Sequence, residues 1–268
     1  MKKLNELFED INEDLWIESI HSDSRYVTKN SIFFCLDGLT VDGHKYIEDA
    51  IFQGAKVIVY SKPLVYKRRD IIYIKVNDVL SELNRVAVLF YDQPSKKMSV
   101  IGVTGSSGKT VVALMIKNIL SQYLKMGYIG TNNIEYAGVL EYSNYTTPET
   151  IFLQKHLNQM VKRQVKGTTL EVSSHGLSMR RVNGIHFDIA IFTNIYDEHL
   201  DYHGTMDHLM QSKAKLFSLL DEKGYAIINA DEVRFYNLVI PTIKSNIITM
   251  LKLLMMNIKK NLFLVELE

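Results

Sequence analysis

Residues 100 to 110 read VIGVTGSSGKT, and this stretch constrains the fold of the chain more than any other. A short β-branched run breaks into glycines and small hydroxyls, and TVVALMIKNILSQY follows with apolar residues at helical spacing. Such a run reads as a buried strand of a parallel sheet, so the segment predicts strand, loop and helix in an α/β fold. Gly105 and Gly108 let the backbone turn its N–H groups toward phosphate oxygens. The helix start adds positive potential, Lys109 reaches terminal phosphates, and the Thr110 hydroxyl is a ligand for Mg²⁺. The common pattern G-x-x-x-x-G-K-[ST] asks for glycine at position 103, where this chain has Val103.

Upstream, SIFFCL reads as a strand, HKYIEDAIFQ as a helix ending at Gly54, and AKVIVY as a second strand, which makes a β-α-β unit. IIYIKV follows as a strand, with Asn77 and Asp78 as candidate caps of a helix carrying Leu80, Leu83, Ala87 and Phe90. DQPSKK reads as a linker, which places a domain boundary near Ser95. Downstream, KGTTLEVSSHGL places Glu171 at a strand end, FDIAIFTNI ends shortly before His199, and YAIINAD ends in Asn229 and Asp231. In a parallel sheet these ends gather at one edge, where open α/β sheets bind ligands. In HLDYH, His199 and His203 have the spacing of zinc ligands on a helix, but the required Glu is replaced by Leu200. TMDHLMQSKAKLF reads as a helix whose Lys213 and Lys215 are, on spacing alone, solvated surface cations.

Composition sets the outer limits. A chain of 268 residues, 47% hydrophobic and 23% charged, can bury a core. A net charge of +1 supplies no field for nucleic acid, and Lys67-Arg68-Arg69 is short enough to be a solvated loop. The N-terminus lacks an apolar signal region and no run spans a bilayer, so a cytoplasmic protein without membrane insertion is expected. The single cysteine, Cys35, lies in an apolar run and reads as a core residue.

VIGVTGSSGKT, YTTPET, EVSSHGL and HLDYHGTMDHLMQSKAKLF, in this order, resemble the Mur ligases, and within them the branch that adds the third amino acid of the peptidoglycan stem. The loop G-x-T-G-x-x-G-K-T is that family's own form, which accounts for Val103. HSDSR, SIFFCLDG and DGHKYIEDAIFQGAKVIV resemble the UDP-sugar domain of the same family. The resemblance implies a UDP-sugar domain over residues 1 to 95 and a P-loop-type ATPase domain over 96 to 240, left incomplete, with a mostly parallel sheet.

The resemblance also implies roles. Ser22 and Ser24 contact the uridine end, with Leu39, Thr40 and Val41 closing over it, and Thr146, Thr147, Ser173 and Arg181 hold the muramoyl-peptide. Thr104, Gly105, Ser106, Ser107, Gly108, Lys109 and Thr110 hold ATP; Glu171 and His199 bind Mg²⁺ with Thr110; and Lys213 is carbamylated. Lys109, Lys213 and His199 then form the catalytic set. The implied reaction passes the γ-phosphoryl of ATP to the carboxylate of a UDP-N-acetylmuramoyl-dipeptide. An amino acid's amine then attacks the acyl phosphate, giving an amide, ADP and phosphate. Three positions depart from the family pattern: Tyr145 stands where Asn is common, Met179 where Gln is common, and Tyr196-Asp197-Glu198 where Ser-Arg-Asp is common.

After IINADE the resemblance fades into a Leu/Met/Lys/Asn-rich segment, so a divergent tail over 241 to 268 and an absent amino-acid-binding domain are expected. Local order is expected to fall after Asp231, with an amphipathic helix in the tail as one option, and the isolated chain is expected to be marginally stable and unable to form the amide. Two functions remain open at this level: a third-residue ligase, and a catalytically incompetent remnant that binds nucleotide or UDP-sugar only. Neither the amino acid added nor the oligomeric state is legible.

Overall fold

The computed structural model describes residues 1–38 and 41–250 and divides into two compact units, one of residues 1–94 with 150–158 and one of 95–149 with residues from Gln159 onward. In the first, β1 (Lys2–Lys3) pairs antiparallel with β2 (Trp16–Ile17) beside α1 (Leu4–Leu7). Strands β3 (Ser19–His21), β4 (Ser31–Phe34), β5 (Ala55–Tyr60) and β6 (Ile72–Lys75) form a parallel sheet in that order.

Period-two alternation explains why both faces of this sheet are covered. Ile32, Phe34, Val57 and Val59 point into a core with Leu4, Leu7, Leu83, Val86 and Ala87, the last three on α3 (Val79–Phe90). Phe33, Cys35, Ile58 and Tyr60 point the other way, against Ala50 and Ile51 of α2 (Ile47–Gln53). Gly54 ends α2 in the left-handed conformation, as its position after the periodic run predicts. Burial pushes the Cys35 thiol up to about 12, which suits a core residue and not a nucleophile.

Asp78 caps α3: its carboxylate accepts from the Ser81 N–H at 3.0 Å and from the Ser81 hydroxyl at 2.9 Å. Asp78→Ala is expected to cost about 1 kcal/mol of stability, read as a lower urea midpoint at unchanged slope. An unshifted midpoint would remove the cap from the account of this helix.

The second unit contains β7 (Ser99–Thr104), α4 (Lys109–Leu120), β8 (Met126–Ile129), β9 (Asn133–Tyr136), β10 (Val139–Tyr142), α5 (Thr150–Lys162, whose last residues belong here), β11 (Gly167–Glu171), α6 (Ser174–Ser178), β12 (Phe187–Phe192), α7 (Leu200–His203), α8 (Met206–Ala214), β13 (Leu220–Asn229), α9 (Val233–Val239) and β14 (Asn246–Met250). The sheet order is β10-β9-β8-β11-β7-β12-β13-β14. Every pairing from β8 to β14 is parallel, while β8, β9 and β10 form an antiparallel meander. Parallel pairing carries the ends of β7, β8, β11, β12 and β13 to one edge, as a doubly wound sheet requires.

Between Asp231 and Met250 the structure differs from expectation. α9 buries Phe235 against Phe192, with rings stacked at 3.6 Å, and β14 pairs with β13 over five residues, Asn246 to Met250. Residues 246–250 are therefore a strand and not part of a helix, because IITM in register with AIIN extends an existing parallel ladder. The part of the expected helix beyond Met250 lies outside the described residues. Among the described residues no helix is long and apolar enough to cross a membrane.

Candidate functional site

The glycine-rich loop leaves β7 at Thr104 and enters α4 at Lys109. Gly105 has φ 145°, and a Cβ there would drive into Thr193 Oγ1 and lie 3.1 Å from the Asn194 backbone N and O. Only glycine fits that approach. The segment after β12 holds the loop: Ser106 N–H donates to the Asn194 carbonyl and Ser107 N–H to Asn194 Oδ1, both at 2.9 Å, and Thr193 Oγ1 donates to the Ser107 carbonyl at 2.7 Å. Gly108, φ 79°, caps α4 in the left-handed region with open space around it.

Two ammoniums converge here. Lys109 Nζ donates to the carbonyls of Gly105 at 2.8 Å and Ser106 at 3.0 Å, and Lys213 Nζ donates to the same Gly105 carbonyl at 2.9 Å. Lys213 is 1% exposed, which corrects the surface position that helical spacing assigns it. α8, capped by Thr205, turns Leu209, Met210, Ser212 and Lys213 inward, a fact of packing that the alternation of charged and apolar residues does not reveal. Lys215 stays exposed. Burial lowers the pKa of both lysines, with the nearby Glu198 carboxylate opposing the shift in each.

Glu198 Oε1 lies 2.9 Å from Lys213 Nζ, and its Oε2 lies 3.9 Å from His199 Nε2. Burial alone would raise the Glu198 pKa, but the hydrogen bond and charge of Lys213 bring it below the usual carboxylate value. The sign follows from linkage. The folded pKa lies below the unfolded one, so this contribution to stability is complete above about pH 4.5 and is lost as pH falls through the folded value. Glu198→Gln is expected to flatten the acid limb of a stability-against-pH curve below about pH 4.5. Superimposable acid limbs for the two proteins would refute that.

Glu171, 0% exposed, ends β11 and faces the start of α4. Thr110 Oγ1 donates to Glu171 Oε2 at 2.8 Å, Thr131 donates its hydroxyl to Oε2 at 3.0 Å and its N–H to Oε1 at 3.2 Å, and the Tyr128 hydroxyl donates to Oε1. Beside it, Thr147 Oγ1 donates to the Glu171 carbonyl at 2.9 Å and meets Ser173 Oγ at 3.2 Å. Arg181 donates to the Thr147 carbonyl at 2.9 Å and stacks over the Tyr145 ring at 4.4 Å. Thr146 meets Thr131 at 3.1 Å.

The structure thus gathers Thr104 to Thr110, Glu171, Lys213 and the Thr146, Thr147, Ser173 and Arg181 group at the strand-end edge. His199 follows β12 and precedes α7 with φ 52°; it is half exposed, and its ring lies edge-on to His175 at 4.7 Å. It touches Glu198, not Glu171. Among the described residues no group of three or more His, Cys, Asp or Glu is close enough to hold a metal ion. His199 is the N-cap of α7 and His203 its last residue, and both rings pack on His175, at 4.7 and 5.5 Å.

In the first unit, Ser22 and the half-turn Ser24–Tyr26 follow β3, with Ser24 buried. The loop after β4 carries Val41, whose carbonyl accepts from Gly38 N–H at 3.0 Å. Both segments lie at the strand-end edge of this sheet, while Leu39 and Thr40 lie outside the described residues. Sequence reasoning did not assign Tyr128, Thr131 or Asn194, and named Glu198 only as a departure. Their signal was present in the polar residues that follow apolar runs, GYIGT and IFTN.

Comparison with known proteins gives two family matches, to the Mur ligase middle domain over residues 103–252 and to the Mur ligase family catalytic domain over residues 17–92. The UDP-N-acetylmuramoyl-L-alanyl-D-glutamate-2,6-diaminopimelate ligase of Halalkalibacterium halodurans is 40% identical over 220 residues, covering 81% of this chain and 45% of that protein. The corresponding L-lysine ligase of Staphylococcus haemolyticus is 40% identical over 241 residues, covering 85% of this chain and 48% of its own. A solved structure of a diaminopimelate ligase superposes with TM-score 0.77 at 26% identity, over 93% of this chain and 52% of that one. The chain spans about half the length of the curated relatives it matches.

Proposed function

The chain belongs to the Mur ligase family, and on that premise we propose that it serves the ATP-dependent addition of a third amino acid to UDP-N-acetylmuramoyl-dipeptide through an acyl phosphate. The observation that carries the reading is the 2.8 Å contact between the Thr110 hydroxyl, at the end of the glycine-rich loop, and the fully buried Glu171 carboxylate. Glu171 takes its four hydrogen bonds from neutral donors. A buried carboxylate beside a threonine hydroxyl is an oxygen donor set that suits Mg²⁺. Thr110 and Glu171 would hold that ion, with His199 and a carbamylated Lys213 completing the set, and Mg²⁺ when bound offsets charge on the phosphates.

The remaining steps belong to this chain's residues. Loop N–H groups and Lys109 orient the terminal phosphates, with the ammonium leaving its hold on the Gly105 and Ser106 carbonyls. Burial favours the neutral amine of Lys213 that reacts with CO₂, forming an N–C bond and releasing a proton. Thr146, Thr147, Ser173 and Arg181 would hold the peptide end of the substrate, and, as the family resemblance implies, Ser22, Ser24, Leu39, Thr40 and Val41 its uridine end. ATP and UDP-sugars are cytoplasmic metabolites, so the reaction is placed there.

Calorimetry with Mg-ATP and with UDP-N-acetylmuramoyl-dipeptide tests the reading, followed by ADP release on adding diaminopimelate or lysine. Binding of both ligands by this chain is expected, whereas amino-acid-dependent ADP release is expected only once the chain is joined to an amino-acid-binding domain, since the isolated chain is expected not to form the amide. Binding without amide formation in the joined protein would instead favour the nucleotide- and UDP-sugar-binding alternative, and absence of both binding events would sink the assignment.

A further inference from the structure

Tyr128 stands in the middle of β8, 0% exposed, among Ile101, Val103, Ala113 and Ile191. An apolar residue would fill that position with nothing left to satisfy, whereas a tyrosine must place its hydroxyl. Register does this. Tyr128 pairs with Thr169 on β11, and Glu171, two residues further on, projects from the same face of the sheet. The diagonal between paired strands is within reach of an aromatic side chain, so the phenol meets Glu171 Oε1. Gly130 keeps the way open, since a Cβ there would collide with both Glu171 Oε1 and the Tyr128 hydroxyl.

The two oxygens of Glu171 are held differently. Oε1 accepts from Tyr128 and the Thr131 N–H, while Oε2 accepts from the Thr131 and Thr110 hydroxyls. Oε1 is therefore pinned by a strand residue and a backbone group, and Oε2 is the oxygen that shares a partner with the phosphate loop.

We propose that Tyr128 is a positioning residue for a divalent cation: its hydroxyl fixes the rotation of the Glu171 carboxylate so that Oε2 faces Thr110. The inference rests on the assignment of a metal to Thr110 and Glu171. Partners that orient a ligating carboxylate typically contribute 10- to 100-fold in metal affinity.

The test uses the 268-residue chain, with Mn²⁺ as the probe ion followed by electron paramagnetic resonance in the presence of ADP. Tyr128→Phe keeps the ring and removes only the hydroxyl. It is expected to weaken Mn²⁺ binding by roughly 10- to 100-fold while ADP affinity in EDTA stays unchanged. A residue acting only on the fold would move both. Thr131→Val, which removes the hydroxyl on Oε2 but keeps the N–H on Oε1, is the second variant and is expected to weaken Mn²⁺ binding as well. Mn²⁺ affinity within twofold of the parent in Tyr128→Phe would overturn the proposal and leave the metal assignment standing. Failure of the parent chain to bind Mn²⁺ with ADP would overturn both.

Discussion

Replacing Lys109 by alanine is expected to weaken Mg-ATP binding about 100-fold or more. Its ammonium already reaches two carbonyls of the loop, at 2.8 and 3.0 Å, from the first residue of α4. It is thus tethered where phosphates would lie. Charged hydrogen bonds contribute about 1.5–3 kcal/mol each, so losing two from the ammonium to phosphate oxygens would cost about 3 kcal/mol or more, a factor of about 100. Calorimetry is the measurement, with UDP binding as the internal control because Ser22, Ser24 and Val41 belong to the other compact unit. Unchanged ATP affinity with unchanged UDP affinity would remove the loop from nucleotide binding.

The second large effect concerns Glu198→Ala. Lys213 is 1% exposed, and its carboxylate partner lies at 2.9 Å. Removing one member of a buried pair strands the other charge and typically costs 3–5 kcal/mol. In CO₂-depleted buffer a loss of about that size is expected in urea unfolding. In bicarbonate-rich buffer the sign changes if Lys213 becomes a carbamate, because two adjacent anions repel and deleting Glu198 relieves them. Equal destabilisation in both buffers would argue against carbamylation of Lys213.

Much of the architecture could be read from local pattern. Strands β4, β5, β7, β11, β12 and β13 lie where short apolar runs occur, and α4 begins at Lys109, because burial of both sheet faces demands those runs. Elements whose identity depends on partners were less legible. The meander β8-β9-β10 and the helix α5 passed unread, and the strand β14 exists only because β13 offers it a ladder. The site divides in the same way. The glycine-rich loop is contiguous in the chain, so its glycines and Lys109 are visible there. Asn194 and Glu198 act on the loop and on Lys213 from beyond β12, and Tyr128 acts on Glu171 across a strand pairing, so only topology reveals them. Lys213 is the sharpest case, since its burial follows from how α8 packs and not from its neighbours in the chain.

The Gly105 carbonyl serves both Lys109 and Lys213, and the positive charge of Lys109 itself depresses the pKa of Lys213. Two cations sharing one acceptor are energetically coupled. A phosphate that draws Lys109 away relieves the repulsion on Lys213, and a change in the charge of Lys213 alters how readily Lys109 can leave. By thermodynamic reciprocity, nucleotide occupancy changes the equilibrium of Lys213 by the same factor as the chemical state of Lys213 changes nucleotide affinity. If the loop holds nucleotide as proposed, its Gly105 oxygen would couple two equilibria through a single acceptor.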